Sequence, residues 1–172
     1  MRLLIAFLVT TTVFAAPAHA ADPATRDSAP AEVAARSLWK NLDQAWAARD
    51  AAAFSRLFTD DGSLRFIDRD QSLEGRPAIQ RFFVEQFSRQ ATDLRHVSSP
   101  QNVRVLAPDL LAVDTAIEIL RVGANDEGEP STLRTFEVFS LLRRTEDGWR
   151  FQILRACQLR SAPDSAPRPR GQ

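Results

Sequence analysis

Asp114 and Glu118 stand four residues apart in a segment whose other members are largely apolar. If the segment is a strand, both side chains point to one sheet face. Two carboxylates beside an apolar pocket could withdraw a carbon-bound proton and return it elsewhere. His96 is the sole imidazole outside residues 1–20, and imidazole changes charge near neutral pH, which suits a general acid or base. The plainer reading of His96 is a half-exposed residue at the start of a strand. The opposite face of the Asp114 segment holds Leu111, Val113, Thr115, Ile117 and Ile119. Either that apolar row packs on helices and the acids face solvent or a subunit seam, or the acids line a pocket and the row is a dimer surface.

The remaining inventory excludes much familiar chemistry. The chain has one cysteine, Cys157, and no tyrosine. It shows no Cys/His metal cluster, no CxxC, no Walker loop and no GxGxxG, so neither a metal nor a cofactor is expected. A single cysteine permits no internal disulfide, and Cys157 is expected to be a buried small hydrophobe. Glu137 alternates with Phe136 and Val138, and a cross-strand ion pair with Arg155 is its simplest role. Asp60 and Asp61 are expected to end a helix and shape the turn after it. Trp46, Phe54, Phe58, Phe66, Phe83, Phe87 and Trp149 are core aromatics by default. Several, with Trp46, Phe58, Phe66, Phe83 and Phe87 foremost, could wall an apolar site for a small molecule, with Glu137 and Arg155 as its polar groups.

These groups need elements to hold them. Residues 1–20 read as a leader: Arg2, an apolar run, then Ala18-His19-Ala20 as the small-x-small site for cleavage before Ala21. The run is shorter than the ~20 apolar residues that span a bilayer. The mature chain is therefore expected to be periplasmic or secreted, with no membrane attachment. The 22 basic and 22 acidic residues of the full sequence balance, so no basic stripe offers itself to nucleic acid. Residues 21–31 and 161–172 are rich in Ala, Pro, Ser and charge without periodicity, and predict a tether and a disordered tail. Residues 32–160 form one domain.

Within it, Ala35, Leu38, Trp39, Leu42, Ala45 and Trp46 recur at helical spacing over residues 32–49. Asp50 can cap a short second helix through Phe54, Leu57 and Phe58 that ends near Asp60-Asp61-Gly62. A short strand follows over residues 63–67. Pro77 then opens a third helix with Ile79, Phe82, Phe83 and Phe87 on its apolar face. The period changes in the second half, where strands are predicted over residues 95–106, 110–122, 133–144 and 149–159. Pro108-Asp109, Asn125-Asp126-Glu127-Gly128 and Glu146-Asp147-Gly148 separate them. Short breaks imply an antiparallel meander, and helices followed by strands imply an α+β fold with the helices on one sheet face.

This order resembles the nuclear transport factor 2-like superfamily over residues 32–159. The resemblance rests on Trp46, Asp50 and Phe54 before Leu57-Phe58-Thr59-Asp60-Asp61-Gly62, and on Leu73-Glu74-Gly75-Arg76-Pro77-Ala78-Ile79 leading into Phe82-Phe83. It ends with Arg143-Arg144-Thr145-Glu146-Asp147-Gly148-Trp149-Arg150-Phe151. The SnoaL-like and SgcJ/EcaC-type small proteins are the most similar members. The resemblance implies a cone-shaped (cystatin-like) roll, three N-terminal helices on a curved and mostly antiparallel sheet, with a deep pocket between them. It also implies a homodimer through the sheet face. Where SgcJ/EcaC-type proteins place Ala-x-Gln-Asn-Thr, this chain has Ile153-Leu154-Arg155-Ala156-Cys157, so their pocket chemistry does not carry over. The ketosteroid-isomerising members use a tyrosine donor that this chain lacks. Three functions follow as expectations: an exported binder of a small apolar molecule; a cofactor-independent isomerase, cyclase or hydratase with Asp114 or Glu118 as base and His96 assisting; or a protein-interaction module.

Overall fold

A computed structural model describes residues 28–123 and 129–159. The leader, residues 21–27 of the tether, the break at 125–128 and the tail at 161–172 lie outside the described residues. Helix α1 (Ser28–Ala47) is followed by α2 (Ala51–Arg56), β1 (Phe58–Phe66), a 3-10 turn (Ile67–Arg69), β2 (Gln71–Glu74) and α3 (Arg76–Arg89). Four long strands complete the fold: β3 (Leu94–Ala107), β4 (Leu110–Arg121), β5 (Ser131–Thr145) and β6 (Gly148–Leu159). They make one six-stranded sheet in the order β2-β1-β6-β5-β4-β3. Only the β1–β6 pairing is parallel. The three helices and the mostly antiparallel sheet are those the sequence predicts.

The helices hold the sheet because their apolar stripes fit its concave side. From α1, Ala35, Leu38, Trp39 and Leu42 are almost wholly buried. They meet a row on β4 (Leu111, Val113, Ile117) and residues such as Leu142, Phe151 and Leu154 from β5 and β6. Trp39 meets Phe151 edge-on, with ring centroids 4.9 Å apart. Asp50 caps α2 as expected: its side chain accepts the Ala53 N–H at 2.8 Å, which satisfies one of the donors a helix start leaves unpaired. Gly75 takes φ 78° and delivers Pro77 to the first turn of α3, a position where its missing N–H costs nothing.

Four boundaries differ from the sequence reading. Helix α1 starts at Ser28, inside the expected tether, because Ala31 continues the buried stripe of Ala35. Helix α2 stops at Arg56, and Phe58 opens β1 instead of closing the helix. The Leu57 carbonyl there accepts the Phe151 N–H at 2.8 Å, and Phe58 pairs with Phe151. Asp60 and Asp61 are therefore strand residues at an irregularity in β1, not the end of a helix. At Gly62 a Cβ would lie 2.9 Å from the Phe151 carbonyl oxygen, so only glycine allows this close approach. Finally, β2 is an additional strand. It is four residues long and pairs only with β1, too short for its pattern to be read.

Candidate active site

The space between helices and sheet is not filled at one end. A cavity of about 450 Å³ opens there, walled by Trp39, Leu42 and Trp46 of α1, Phe82, Phe83 and Phe87 of α3, and inward residues of the sheet. Its size falls in the range of small-ligand sites, roughly 300–1,000 Å³. Phe54, Phe83 and Phe87 stack on one another at this wall, and Phe66 packs on Phe82.

One aspartate–histidine pair lies at this wall, with His96 lining the cavity. Trp39, Leu42, Asp43 and Trp46 share one face of α1 by their three- and four-residue spacing. On β3, Leu94, His96 and Ser98 alternate onto the concave side. Asp43 and His96 meet across this contact, with Oδ1 2.6 Å from Nδ1. The other carboxylate oxygen accepts the Ser98 hydroxyl at 2.8 Å and the Ser98 N–H at 3.2 Å. Both oxygens of Asp43 are thus occupied, which offsets the cost of removing a carboxylate from most of its water. The His96 side chain is 9% exposed, lines the cavity and lies against Trp46 with ring centroids 5.3 Å apart.

This arrangement fixes the imidazole. A carboxylate only accepts, so Nδ1 carries a proton and donates it to Asp43. Nε2 is the nitrogen left for a ligand: a proton acceptor when the ring is neutral and a donor once it is charged. A carboxylate on the far nitrogen holds the ring in that tautomer. Trp39 also lines the cavity, and its buried Nε1–H has no acceptor among the described residues. Such an atom is a donor waiting for a partner.

The carboxylates singled out in the sequence lie elsewhere. Leu111, Val113, Thr115 and Ile117 are buried beneath the helices, so alternation turns Asp114 and Glu118 to the convex side. Asp114 lines a shallow polar depression with Gln101, Asn102 and Arg104. Glu118 accepts a 3.4 Å hydrogen bond from Thr132. Neither converges with His96, and the pairing of all three in one pocket does not occur. Trp46, Phe66, Phe83 and Phe87 do line the cavity. Phe58 is instead fully buried between Phe54 and Phe151.

Glu137 and Arg155 are also on the convex side. The register sets Glu137 opposite Cys157 and Arg155 opposite Phe139, and Arg155 donates to the Ser63 hydroxyl at 3.1 Å. The expected ion pair between them is not formed. Cys157 is half-buried on this outer side, not enclosed. Among the described residues no group of three or more His, Cys, Asp or Glu side chains could hold a metal ion.

Sequence reasoning missed Asp43 and Ser98. The signal for Asp43 was present: it is an acid four residues after Trp39 and three before Trp46, inside the stripe that must be buried. Ser98 carried none beyond its place two residues after His96.

Comparison with known proteins agrees with this architecture. No curated protein matches the chain. A nuclear transport factor 2-like protein with a cystatin-like fold from Novosphingobium aromaticivorans superposes with a TM-score of 0.68 at 21% identity, over 83% of this chain and 90% of that one. A domain of unknown function with a cystatin-like fold from Nostoc punctiforme gives 0.66 at 19% identity, over 78% and 80%. A ketosteroid isomerase-like protein from Erwinia carotovora atroseptica gives 0.58 at 17% identity, over 74% and 95%. These likenesses concern the fold. The model of the SnoaL-like domain matches residues 27–155, and with the helix-on-curved-sheet architecture this shows that the chain belongs to the SnoaL-like family of the nuclear transport factor 2-like superfamily.

Proposed function

We propose that the protein is a cofactor-independent acid–base enzyme of the isomerase, cyclase or hydratase kind, acting on a small and largely apolar molecule. The observation that carries this reading is the 2.6 Å Asp43–His96 contact, which sets His96 into the aromatic-rich wall of the cavity. An imidazole placed only to fill space would not need a carboxylate held by two further donors. In this reading His96 Nε2 removes a proton from carbon beside a carbonyl, and Asp43 steadies the imidazolium that results. Asp43 is a positioning residue, since its oxygens are already engaged. A small shift of the indole that uncovers the unpaired Trp39 N–H would supply the neutral donor for the developing oxyanion, the part a tyrosine plays in ketosteroid-isomerising relatives. The returning proton then goes to a different atom, or a leaving hydroxyl takes it.

The test uses 5-nitrobenzisoxazole, whose isoxazole-ring C–H proton is lost to a base as the carbon–nitrogen bond becomes a nitrile and the N–O bond breaks to a coloured cyanophenolate. The protein should accelerate this elimination, and His96→Gln should lower the rate about 10²-fold or more. A rate equal to that of the variant would overturn the reading. Pure binding of a small apolar molecule is then what the pocket would serve.

Two further expectations join the proposal. Residues 1–20 would direct export to the periplasm or medium, which N-terminal sequencing of the protein from a Gram-negative host tests. A second copy would dock on the convex sheet face around Phe139, Leu141 and Ile153. Phe139 is 38% exposed there, and Phe139→Glu should shift the sedimentation of a dimer to that of a monomer.

A further inference from the structure

The mouth of the cavity differs in charge from the rest of the molecule. Basic and acidic residues balance over the whole chain. Four arginines nevertheless line this one opening, Arg69, Arg89, Arg121 and Arg134, and among the described residues no acidic side chain does. Two of them are held from behind: Arg121 by Asp93 at 3.1 Å and Arg69 by Asp68 at 3.5 Å. Arg69 also lies over the Phe66 ring at 5.6 Å. Arg89 and Arg134 are exposed and make no ion pair among the described residues.

The fold puts Arg134 in this position for a specific reason. The β4–β5 register shifts between Ile119 and Leu120, so that Ile119 pairs with Arg134 and Leu120 with Thr132. The shift leaves Leu133 as an extra residue, and both Leu133 and Arg134 reach the cavity mouth. Ile119 in turn pairs with His96. His96, Ile119 and Arg134 therefore form one row across three strands, which places the imidazole and guanidinium backbones roughly 10 Å apart, two strand spacings. Arg89 ends α3 on the other side of the opening.

We infer that the cavity takes an amphipathic molecule whose apolar body lies against the α3 phenylalanines and whose single oxyanion head, a carboxylate or a phosphate monoester, is gripped at the mouth by Arg89 and Arg134. Guanidinium groups suit either head because their paired N–H groups match two oxygens at once. An uncharged molecule of the same body would leave them paired with water alone. This inference rests on the proposed use of the same cavity, but not on any reaction taking place there. It fixes the orientation of the ligand: head outward, with the apolar part next to His96 and Trp39.

The experiment titrates the protein with decanoate, decyl phosphate and decanol and follows tryptophan fluorescence, since Trp39 and Trp46 line the cavity. At least one anion should bind about fivefold to tenfold more tightly than the alcohol, the scale of a charge-assisted contact that is partly exposed. Which anion wins tells the two head groups apart. The preference should shrink at about 0.5 M salt. It should vanish in Arg89→Gln/Arg134→Gln, whose side chains are exposed and whose loss leaves the core intact. His96→Gln should keep the preference while losing the benzisoxazole elimination, which separates failure of this inference from failure of the proposed chemistry. Equal binding of alcohol and anions, a preference that survives in the double arginine variant, or no binding of any of the three at millimolar concentration would overturn it.

Discussion

The two faces of the sheet use the same alternating strands for opposite purposes. On the concave face β4 buries Leu111, Val113, Thr115 and Ile117, and the polar side chains of that face are small or lie at the cavity. On the convex face Asp114, Glu118 and Glu137 stand in or near solvent with at most one weak contact each. A charged residue is costly on the first face and nearly free on the second. The acid that crosses into the concave side, Asp43, comes from a helix and not from the sheet. It is tied down by His96 and Ser98. Charge that is costly to desolvate and is nonetheless drawn partly out of water marks the site more reliably than charge that merely alternates with apolar residues.

The largest expected effect breaks this comparison directly. Asp43→Asn keeps the shape of the side chain but offers Ser98 and His96 one acceptor oxygen in place of two. It should lower the benzisoxazole elimination about 10²–10⁴-fold. Asp114→Asn and Glu118→Gln should leave the rate within twofold or so of the parent, since neither side chain reaches the cavity. If Asp114→Asn were the damaging change, the concave face would not be the catalytic one.

Next comes stability, read as urea denaturation. Phe151 is fully buried between Trp39 and Phe58, and Phe151→Ala should cost about 3–5 kcal/mol. Ile153, two residues on and half-exposed on the convex side, should cost well under half as much when changed to alanine, because its environment is already partly water. Comparable losses at the two positions would mean that the convex face is covered in solution, which is the outcome a homodimer through the sheet produces.

Trp39→Phe sharpens the comparison within the cavity. The substitution keeps an aromatic wall and removes a buried N–H that finds no acceptor among the described residues. If that donor serves the oxyanion, the elimination should slow about tenfold. A rate unchanged by Trp39→Phe would assign the indole to packing alone.

Most of the fold was legible in the sequence because its signals are periodic. The α1 stripe, the Asp50 cap, Pro77 at the start of α3 and four long alternating segments each left a pattern, and the strand ends fell within two residues of those observed. What failed was local. Phe58 reads equally well as the last residue of a helix or the first of a strand, and only its pairing with Phe151 decides. The site was harder, because it joins residues 43, 96 and 98 through a helix–strand contact. Periodicity places Asp114 and Glu118 on one face of a strand but does not say which face is covered. The helices decide that, and they do so by burying the apolar row.

The smallest expected effect concerns two hydroxyls on the covered face. Ser140 is wholly buried on β5, and its Oγ donates to the Val113 carbonyl at 3.3 Å. Thr115 is 3% exposed on β4 between Val113 and Ile117, and its Oγ1 has no partner among the described residues. Both are small polar groups in the same apolar layer, yet one has regained a hydrogen bond on folding and the other has only lost its water. Thr115→Val replaces that hydroxyl with a methyl group of nearly the same volume in a strand that favours branched side chains. It should therefore stabilise the protein by about 1 kcal/mol, the lower end of the cost of an unsatisfied buried group. Ser140→Ala should destabilise it by about 1 kcal/mol, since it removes a satisfied bond and leaves a small void. Opposite signs at these two positions would show that the concave layer tolerates polar atoms only when they are paired. A loss of stability at both would mean that Thr115 has a partner within the folded layer, and the cavity wall would then extend further along β4 than its lining residues now indicate.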